Sequence, residues 1–229
     1  ALTEKTALVS IMAVNNEIGV IQPLAEIGAL CREKGVLFHS DAAQAVGKIP
    51  LDVAAMNIDL LSVSGHKMYG PKGIGALYVR RRPRVRLEPM MDGGGQERAT
   101  RSGTLSPALC VGLGRASAIA AEEMEAEGRR LLALRSRLLD DLRARLPDLV
   151  VHGDLEARVP GNLSLRIPGL RGDTLLKALP GLALSTGSAC SSASVEPSYV
   201  IRALGVAEEE AAGGSDAEGV EAGADEVAG

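Results

Sequence analysis

Ser62-Val63-Ser64-Gly65-His66-Lys67-Met68-Tyr69-Gly70-Pro71-Lys72-Gly73-Ile74-Gly75 is the stretch on which the reading of this chain turns. Leu60 to Val63 reads as the end of a buried strand. A polar turn then presents Ser64, His66 and Lys67, and a glycine-rich run follows. An open α/β sheet places its ligands just past the carboxyl ends of its strands, which is where this lysine falls.

Upstream, Val36-Leu37-Phe38-His39-Ser40-Asp41-Ala42-Ala43-Gln44 repeats the design, with a short apolar strand followed by an acid and an amide. An aspartate past one strand and a lysine past a later one suit a single cofactor. Pyridoxal phosphate needs a lysine amine for its covalent attachment and a carboxylate to keep its pyridine nitrogen protonated. Lys67 and Asp41 are the candidates for those two tasks.

Around this pair the periodicities build an α/β chain. Ala7 to Ala13 is a strand, followed by the polar turn Asn15-Asn16-Glu17-Ile18-Gly19. Pro23 suits a helix start, and Leu24, Ile27, Leu30 and Cys31 share one helical face, which places Cys31 in the core. Strand, helix, strand at this spacing predicts a parallel sheet. Leu51 to Ile58 is a short helix or turn, and Gly75 to Arg80 is a further strand, antiparallel at one side. Gly93-Gly94-Gly95-Gln96-Glu97-Arg98 through Thr104 is a long irregular loop. Pro107 opens a helix to about Glu127, with Cys110 packed inside it. A second, charged helix runs to about Arg145 on a stripe of Leu131, Leu134, Leu138, Leu139 and Leu142.

After Pro147 the pattern becomes α+β. Strands are expected at Val150 to His152, Asn162 to Ile167 and Ala183 to Ser185, with a short helix from Asp173 to Leu179. The division is therefore 1–125 for the later part of a large domain, 126–207 for a small α+β domain, and 208–229 for an acidic tail. The tail has almost no apolar content and is expected to be disordered. It carries eight acids and no Lys or Arg; without it, 25 basic residues face 21 acidic ones, so the net charge of −4 becomes +4.

Composition excludes several classes. With one Phe, three Tyr and no Trp, a stacking platform for single-stranded nucleic acid is not expected. Arg80-Arg81-Arg82-Pro83-Arg84 reads as a solvated strand end and turn rather than a nucleic-acid patch. Cys31, Cys110 and Cys190 form no CxxC pair and no zinc spacing, so no metal site is expected, and their sparse, odd count suits a reducing compartment. No apolar run reaches membrane-spanning length. His152 is a lone histidine on a strand end and reads as structural. Cys190 lies in Ser185-Thr186-Gly187-Ser188-Ala189-Cys190-Ser191-Ser192-Ala193-Ser194, a small polar stretch with no apolar periodicity to bury a thiol.

Phe38-His39-Ser40-Asp41-Ala42-Ala43-Gln44-Ala45-Val46-Gly47-Lys48 and Ser64-Gly65-His66-Lys67 closely resemble cysteine desulfurases of the iron–sulfur-assembly kind. These are fold-type-I pyridoxal-phosphate enzymes of the class V aminotransferase superfamily. The resemblance runs from about Leu8 to Val206 and includes the Asn-Asn-Glu turn and the Cys190 loop. It implies a partial parallel-sheet large domain with a small α+β domain. It gives Lys67 and Cys190 catalytic roles, and pairs Asp41 with the pyridine nitrogen. Gln44 and Asn16 would reach the ring hydroxyl oxygen, and Ser64 and His66 the phosphate. Thr104 would touch the phosphate bound by the other subunit of a homodimer. His39 belongs to the motif but has no assigned role. The implied reaction takes L-cysteine to alanine and leaves a persulfide on Cys190. That persulfide passes to an iron–sulfur scaffold or a tRNA-thiolation enzyme, in a bacterial cytoplasm or a mitochondrial matrix.

The chain also departs from the pattern. The family's N-terminal portion, with much of the phosphate site and a ring-stacking histidine, has no match, nor does the later arginine that holds the substrate carboxylate. On that basis the chain alone is expected to be inactive or nearly so. The rivals are another class V enzyme, such as a selenocysteine lyase or an aminotransferase, and a non-catalytic fragment that only binds partners. An aminotransferase has no use for the Cys190 loop.

Overall fold

The computed structural model describes residues 1–170, 172–185, 198–206 and 215–217. Its elements fall into two compact units, one of residues 1–13 and 23–124, the other of residues 14–22 and 125–229.

The first unit is built on a four-stranded sheet in the order β1 (Leu8–Met12), β2 (Leu37–Asp41), β3 (Leu60–Ser64) and β4 (Gly75–Val79). β1, β2 and β3 are parallel, and β4 runs antiparallel at the edge beside β3. The crossover between β1 and β2 includes helix α1 (Leu24–Glu33). Its buried line is Leu24, Gly28 and Cys31, while Leu30, expected on that face, is 47% exposed. Cys31 is buried as expected, and burial followed by the Asp59 charge pushes its thiol up, so it stays an inert core residue. Phe38, Ala42, Ala45, Ile58, Leu60 and Leu61 complete an almost wholly aliphatic core.

Asp59 is the buried charge of this unit. Its carboxylate accepts the Phe38 amide at 2.8 Å and pairs with the Arg80 guanidinium at 2.5 Å. The first residue of the arginine run is thus anchored inward; Arg81, Arg82 and Arg84 are exposed. In the long loop, α2 (Gln96–Ala99) is a single turn in which Glu97, Arg98 and Ala99 all take positive φ.

Where two helices were expected, one continuous helix, α3 (Pro107–Arg145), extends over 39 residues. No proline interrupts it after Pro107, and Gly128 alone does not break a helix flanked by strong helix formers. The boundary between the units falls inside this helix. Cys110 is only half-buried, and Leu134 is 41% exposed, so the buried stripe is narrower than the sequence pattern suggests.

The second unit contains the antiparallel sheet β5 (Val150–Val151), β6 (Leu165–Ile167) and β7 (Ser215–Ala217), with helices α4 (Gly172–Ala178) and α5 (Tyr199–Ala203). Leu139, Leu163 and Leu165 form one of its buried clusters, with Leu138, Leu142, Leu149, Val151 and Leu155 against it. The expected strand at Ala183–Ser185 is reduced to an isolated bridge residue at Ser185. Within 208–229, the three described residues of β7 pair with β6. Backbone pairing along an open strand edge needs no apolar side chain, which is why composition held no sign of it. Among the described residues no helix is long and apolar enough to cross a membrane.

Candidate active site

Two polar groups end adjacent parallel strands of the first unit. Asp41 is the last residue of β2, and its Cα is in register with that of Ser62 on β3. β2 is pinned on both sides there, since the Ala13 amide donates to the Asp41 carbonyl at 2.7 Å and the Ala42 amide to the Ser62 carbonyl at 2.9 Å. The side chain is fixed as well, with the Ala43 amide donating to Asp41 Oδ1 at 2.9 Å. That turn-type bond holds one carboxylate oxygen and leaves the other for a ligand. Asp41 is exposed.

β3 runs into a 3-10 turn, Gly65–Met68, that carries His66 and Lys67 outward and tucks Met68 into the core. Gly65 permits this turn. A Cβ there would lie 2.9 Å from the Ile74 carbonyl oxygen, and the Gly65 amide donates to that same oxygen at 3.0 Å. Ser64 Oγ and His66 Nδ1 lie 3.1 Å apart. Lys67 is exposed, and among the described residues its ammonium has no ion-pair or hydrogen-bond partner. Gln44 sits in the turn after β2, where Lys48 Nζ donates to its Oε1 at 2.9 Å. That bond fixes which way the amide faces and leaves its NH2 group as a donor.

Asp41, Gln44, Ser64, His66 and Lys67 thus share the carboxyl edge of one sheet. This is one carboxylate, one lysine and several hydrogen-bond donors, the set that a protonated pyridine ring, an aldehyde carbon, a phenolic oxygen and a phosphate require. The residues present fit pyridoxal phosphate. Thr104 is exposed in the loop before α3. Asn16 is exposed and belongs to the second unit. Cys190 lies outside the described residues. Among the described residues no group of His, Cys, Asp and Glu could hold a metal ion.

His39, given no role from sequence, ties the site's strands together. Its Nδ1 is 2.7 Å from Ser10 Oγ on β1 and its Nε2 is 2.7 Å from Ser62 Oγ on β3. It lies on the same sheet face as Asp41, two residues on. The alternation of Ser10, His39 and Ser62 on facing strands was the available signal, and it is legible only once the register is known.

A comparison with known proteins bears directly on this edge. Residues 1–208 match the family model described as aminotransferase class-V. The chain belongs to that family. It is 57% identical over 209 residues to a protein of Rickettsia rickettsii (strain Iowa) named cysteine desulfurase IscS, with 91% of this chain and 51% of the relative covered. It is 61% identical over 211 residues to one named cysteine desulfurase, mitochondrial, of Arthroderma benhamiae, with 92% of this chain and 42% of the relative covered. The chain therefore spans about half the length of the curated relatives it matches. Among solved structures, a NifS-like protein superposes with a TM-score of 0.81 at 37% identity, covering 93% of this chain and 55% of the other. A second, titled SspA in complex with cysteine, gives 0.74 at 34%, covering 96% and 61%. The fold is accordingly that of the class V pyridoxal-phosphate enzymes, in part, as the sequence resemblance implied.

The second unit holds a set of buried polar residues, of which the sequence singled out His152 alone. His152 is 3% exposed, with its Nδ1 3.1 Å from Ser164 Oγ. Burial first, then the Arg166 and Arg158 charges, lower its pKa to about 4, so it is a neutral structural imidazole. Arg158, also 3% exposed, donates to the carbonyls of Asp154 and His152 and, at 3.1 Å, to Asn162 Oδ1. Burial, then neighbouring Arg135, lower it to about 10. Glu17 is 8% exposed and accepts a hydrogen bond from Ser198 Oγ. Burial pushes its carboxyl above the usual range, and the Ser198 bond opposes that shift.

Proposed function

We propose that this chain carries the lysine-and-cysteine portion of a pyridoxal-phosphate-dependent L-cysteine desulfurase. One observation supports the reading above others. Asp41 and Lys67 sit at the carboxyl ends of in-register parallel strands, in a chain 57–61% identical to proteins named cysteine desulfurases. Pyridoxal phosphate, when bound, supplies an electron sink for bond breaking beside the amino-bearing carbon.

In this reading Lys67 Nζ holds the cofactor and afterwards carries a proton to and from the substrate carbon. The free Asp41 oxygen would accept the pyridine N–H, and the Ala43 amide keeps that carboxylate oriented. Gln44, oriented by Lys48, donates to the ring hydroxyl oxygen together with Asn16. Ser64 and His66 donate to the phosphate, and Thr104 of a second copy completes it in a homodimer.

Cys190 acts as a thiolate on the substrate sulfur. An S–S bond forms at Cys190, and the substrate C–S bond breaks with its electron pair going to carbon. That carbon takes a proton to give alanine, and the sulfur remains as a persulfide for an iron–sulfur scaffold or another acceptor protein. A thiol in a small, polar stretch of sequence with no apolar periodicity suits such a delivery. The NifS-like and cysteine-bound neighbours favour this over transamination, which has no need of Cys190.

The test is covalent trapping. The 229-residue chain is incubated with pyridoxal phosphate, reduced with borohydride and digested, and the label is located by mass spectrometry. The expected result is label on Lys67, absent in Lys67→Ala. In a completed enzyme, a second digest after adding cysteine should show one extra sulfur atom on the Cys190 peptide, lost in Cys190→Ser while the Lys67 label persists; the 229-residue chain alone should show little or none. Label spread over other lysines and absent from Lys67 would overturn the assignment.

A further inference from the structure

The segment between β1 and α1 leaves the first unit and is clasped by the second. Val14 bridges Ile21, and Val20 bridges Arg158. The Ile21 amide donates to the Ala157 carbonyl at 2.8 Å, and the Val159 amide to the Gly19 carbonyl at 3.0 Å. Asn15 Oδ1 accepts the Glu17 and Ile18 amides at 2.9 and 3.0 Å, closing the turn that presents Asn16. Gly19 has a φ of +66°, and a Cβ there would sit 2.4 Å from Asn162, so only glycine lets Asn162 approach. Asn162 uses that approach, donating from Nδ2 to the Glu17 carbonyl at 3.0 Å.

The Glu17 side chain is engaged elsewhere, by Ser198. Ser198 is the N-cap of α5 and accepts the Val200 and Ile201 amides at 3.1 and 3.3 Å. A hydroxyl has two lone pairs and one proton, and the proton goes to the Glu17 carboxylate. Every hydrogen-bonding capacity of Ser198 Oγ is therefore committed, and its orientation depends on Glu17. Ile18 reinforces the join by packing with Val200 and Ile201 in one buried cluster flanked by Val20 and Val206. In sequence, Ser198 is eight residues after Cys190. Eight residues span at most about 29 Å, so the place where residue 198 is fixed bounds where the thiol can act.

We propose that Glu17 is a positioning residue for the sulfur-transfer step, acting through Ser198 to hold the start of α5 against the turn that carries Asn16. The catalytic meaning rests on the desulfurase reading, but the anchor itself does not. A simple helix cap makes a different prediction from this one. Aspartate caps helices as well as serine does. It has no proton to give Glu17, however, and it sets one carboxylate against another.

The experiment compares wild type, Ser198→Asp and the double variant Glu17→Gln with Ser198→Asp, all in the full chain, by deuterium exchange of peptides covering 15–21 and 199–204. Ser198→Asp should speed exchange in both peptides about tenfold. In the double variant the side-chain amide introduced by Glu17→Gln donates to the new carboxylate, and exchange should return to within about twofold of wild type. Exchange unchanged in Ser198→Asp, or no recovery in the double variant, overturns the anchor. Should Ser198→Asp fail to fold, Glu17→Gln against Glu17→Leu decides the same point. Glu17→Gln keeps an accepting oxygen and should leave exchange as in wild type; Glu17→Leu should speed it, and equal behaviour overturns the anchor.

The functional arm follows extra sulfur on Cys190 after adding cysteine, together with the visible absorption of bound pyridoxal phosphate. Ser198→Asp should slow sulfur transfer about tenfold at unchanged absorption, and the double variant should restore it. An unchanged transfer rate in Ser198→Asp overturns the positioning role. If wild type transfers no sulfur, the chain alone is inactive, as its departures from the family pattern imply, and exchange alone decides the Glu17 anchor; a Lys67 that takes no pyridoxal label is what would sink the desulfurase reading.

Discussion

Asp41 and Lys67 stand exposed at a sheet edge of the first unit, whereas Glu17, His152 and Arg158 of the second unit are 8%, 3% and 3% exposed. The first pair keeps hydrogen-bonding capacity in reserve, with one carboxylate oxygen and an ammonium uncommitted among the described residues. The second set spends its capacity on neighbours, carbonyl by carbonyl and hydroxyl by hydroxyl. A polar group offered to a ligand contributes little to stability, and one buried in a network contributes much and offers nothing outside. Function and scaffold are thus separable here by where a polar group's bonds go rather than by residue type.

That contrast can be broken at four places, in falling order of effect. Lys67→Ala should abolish retention of pyridoxal phosphate through gel filtration while changing the unfolding free energy by less than about 0.5 kcal/mol, because an exposed, unpaired side chain holds nothing together. A clear loss of stability in urea titration would show that Lys67 has a structural partner.

Asp59→Ala tests the converse within the first unit. It strands Arg80 and removes the acceptor of the Phe38 amide, and should cost about 3–5 kcal/mol. A cost below about 1 kcal/mol would mean that water replaces the carboxylate.

His152 gives a pH signature. Its folded pKa of about 4 lies below the ordinary 6.5, so the unfolded chain binds the proton more readily. Its contribution is fully present above pH 6.5 and is lost as pH falls toward 4. The maximum loss is about 3 kcal/mol, from roughly 1.4 kcal/mol per pH unit. The difference in unfolding free energy between wild type and His152→Asn, measured against pH, should carry that slope. A flat difference would place charged imidazole in the folded state.

The smallest effect belongs to the surface of α3. Arg129 pairs with Glu125, and Arg130 Nε donates to Glu127 at 2.7 Å, all on an exposed helix face. Arg129→Ala should cost about 0.3–0.5 kcal/mol and less in high salt.

The sequence made the site edge legible because its information is local. An apolar run ending in Asp41 and another ending before Lys67 locate two strand ends, and the parallel βαβ rule puts both ends on one edge. The family resemblance carried the same conclusion further, and the aminotransferase class-V match agrees with it. Helix faces were less legible. Leu30 and Leu134 fit the period yet stand exposed, since periodicity says which residues share a face and not how wide the covering neighbour is. α3 reads as two helices because its charge pattern changes midway, although nothing in its backbone chemistry breaks it. Least legible was the Glu17 network. Asn162 and Glu17 are 145 residues apart, and no local pattern announces that an amide in one turn will meet a carbonyl in another. Likewise β7 joins β6 through backbone groups, which composition does not report.

The clasp on residues 14–22 also sets a timetable. In synthesis from the amino end, Glu17 emerges 145 residues before Asn162, and Ser198 comes later still. At roughly 5–20 residues per second, Glu17 waits about 7–30 s for its partner. Throughout that interval Ile18 and Val20, which belong against Val200, Ile201 and Val206, have no place to be buried, while β1 and α1 on either side can already pair and pack. The nascent chain therefore carries Ile18 and Val20 uncovered between two elements that are already free to fold, until the last of their partners has been made.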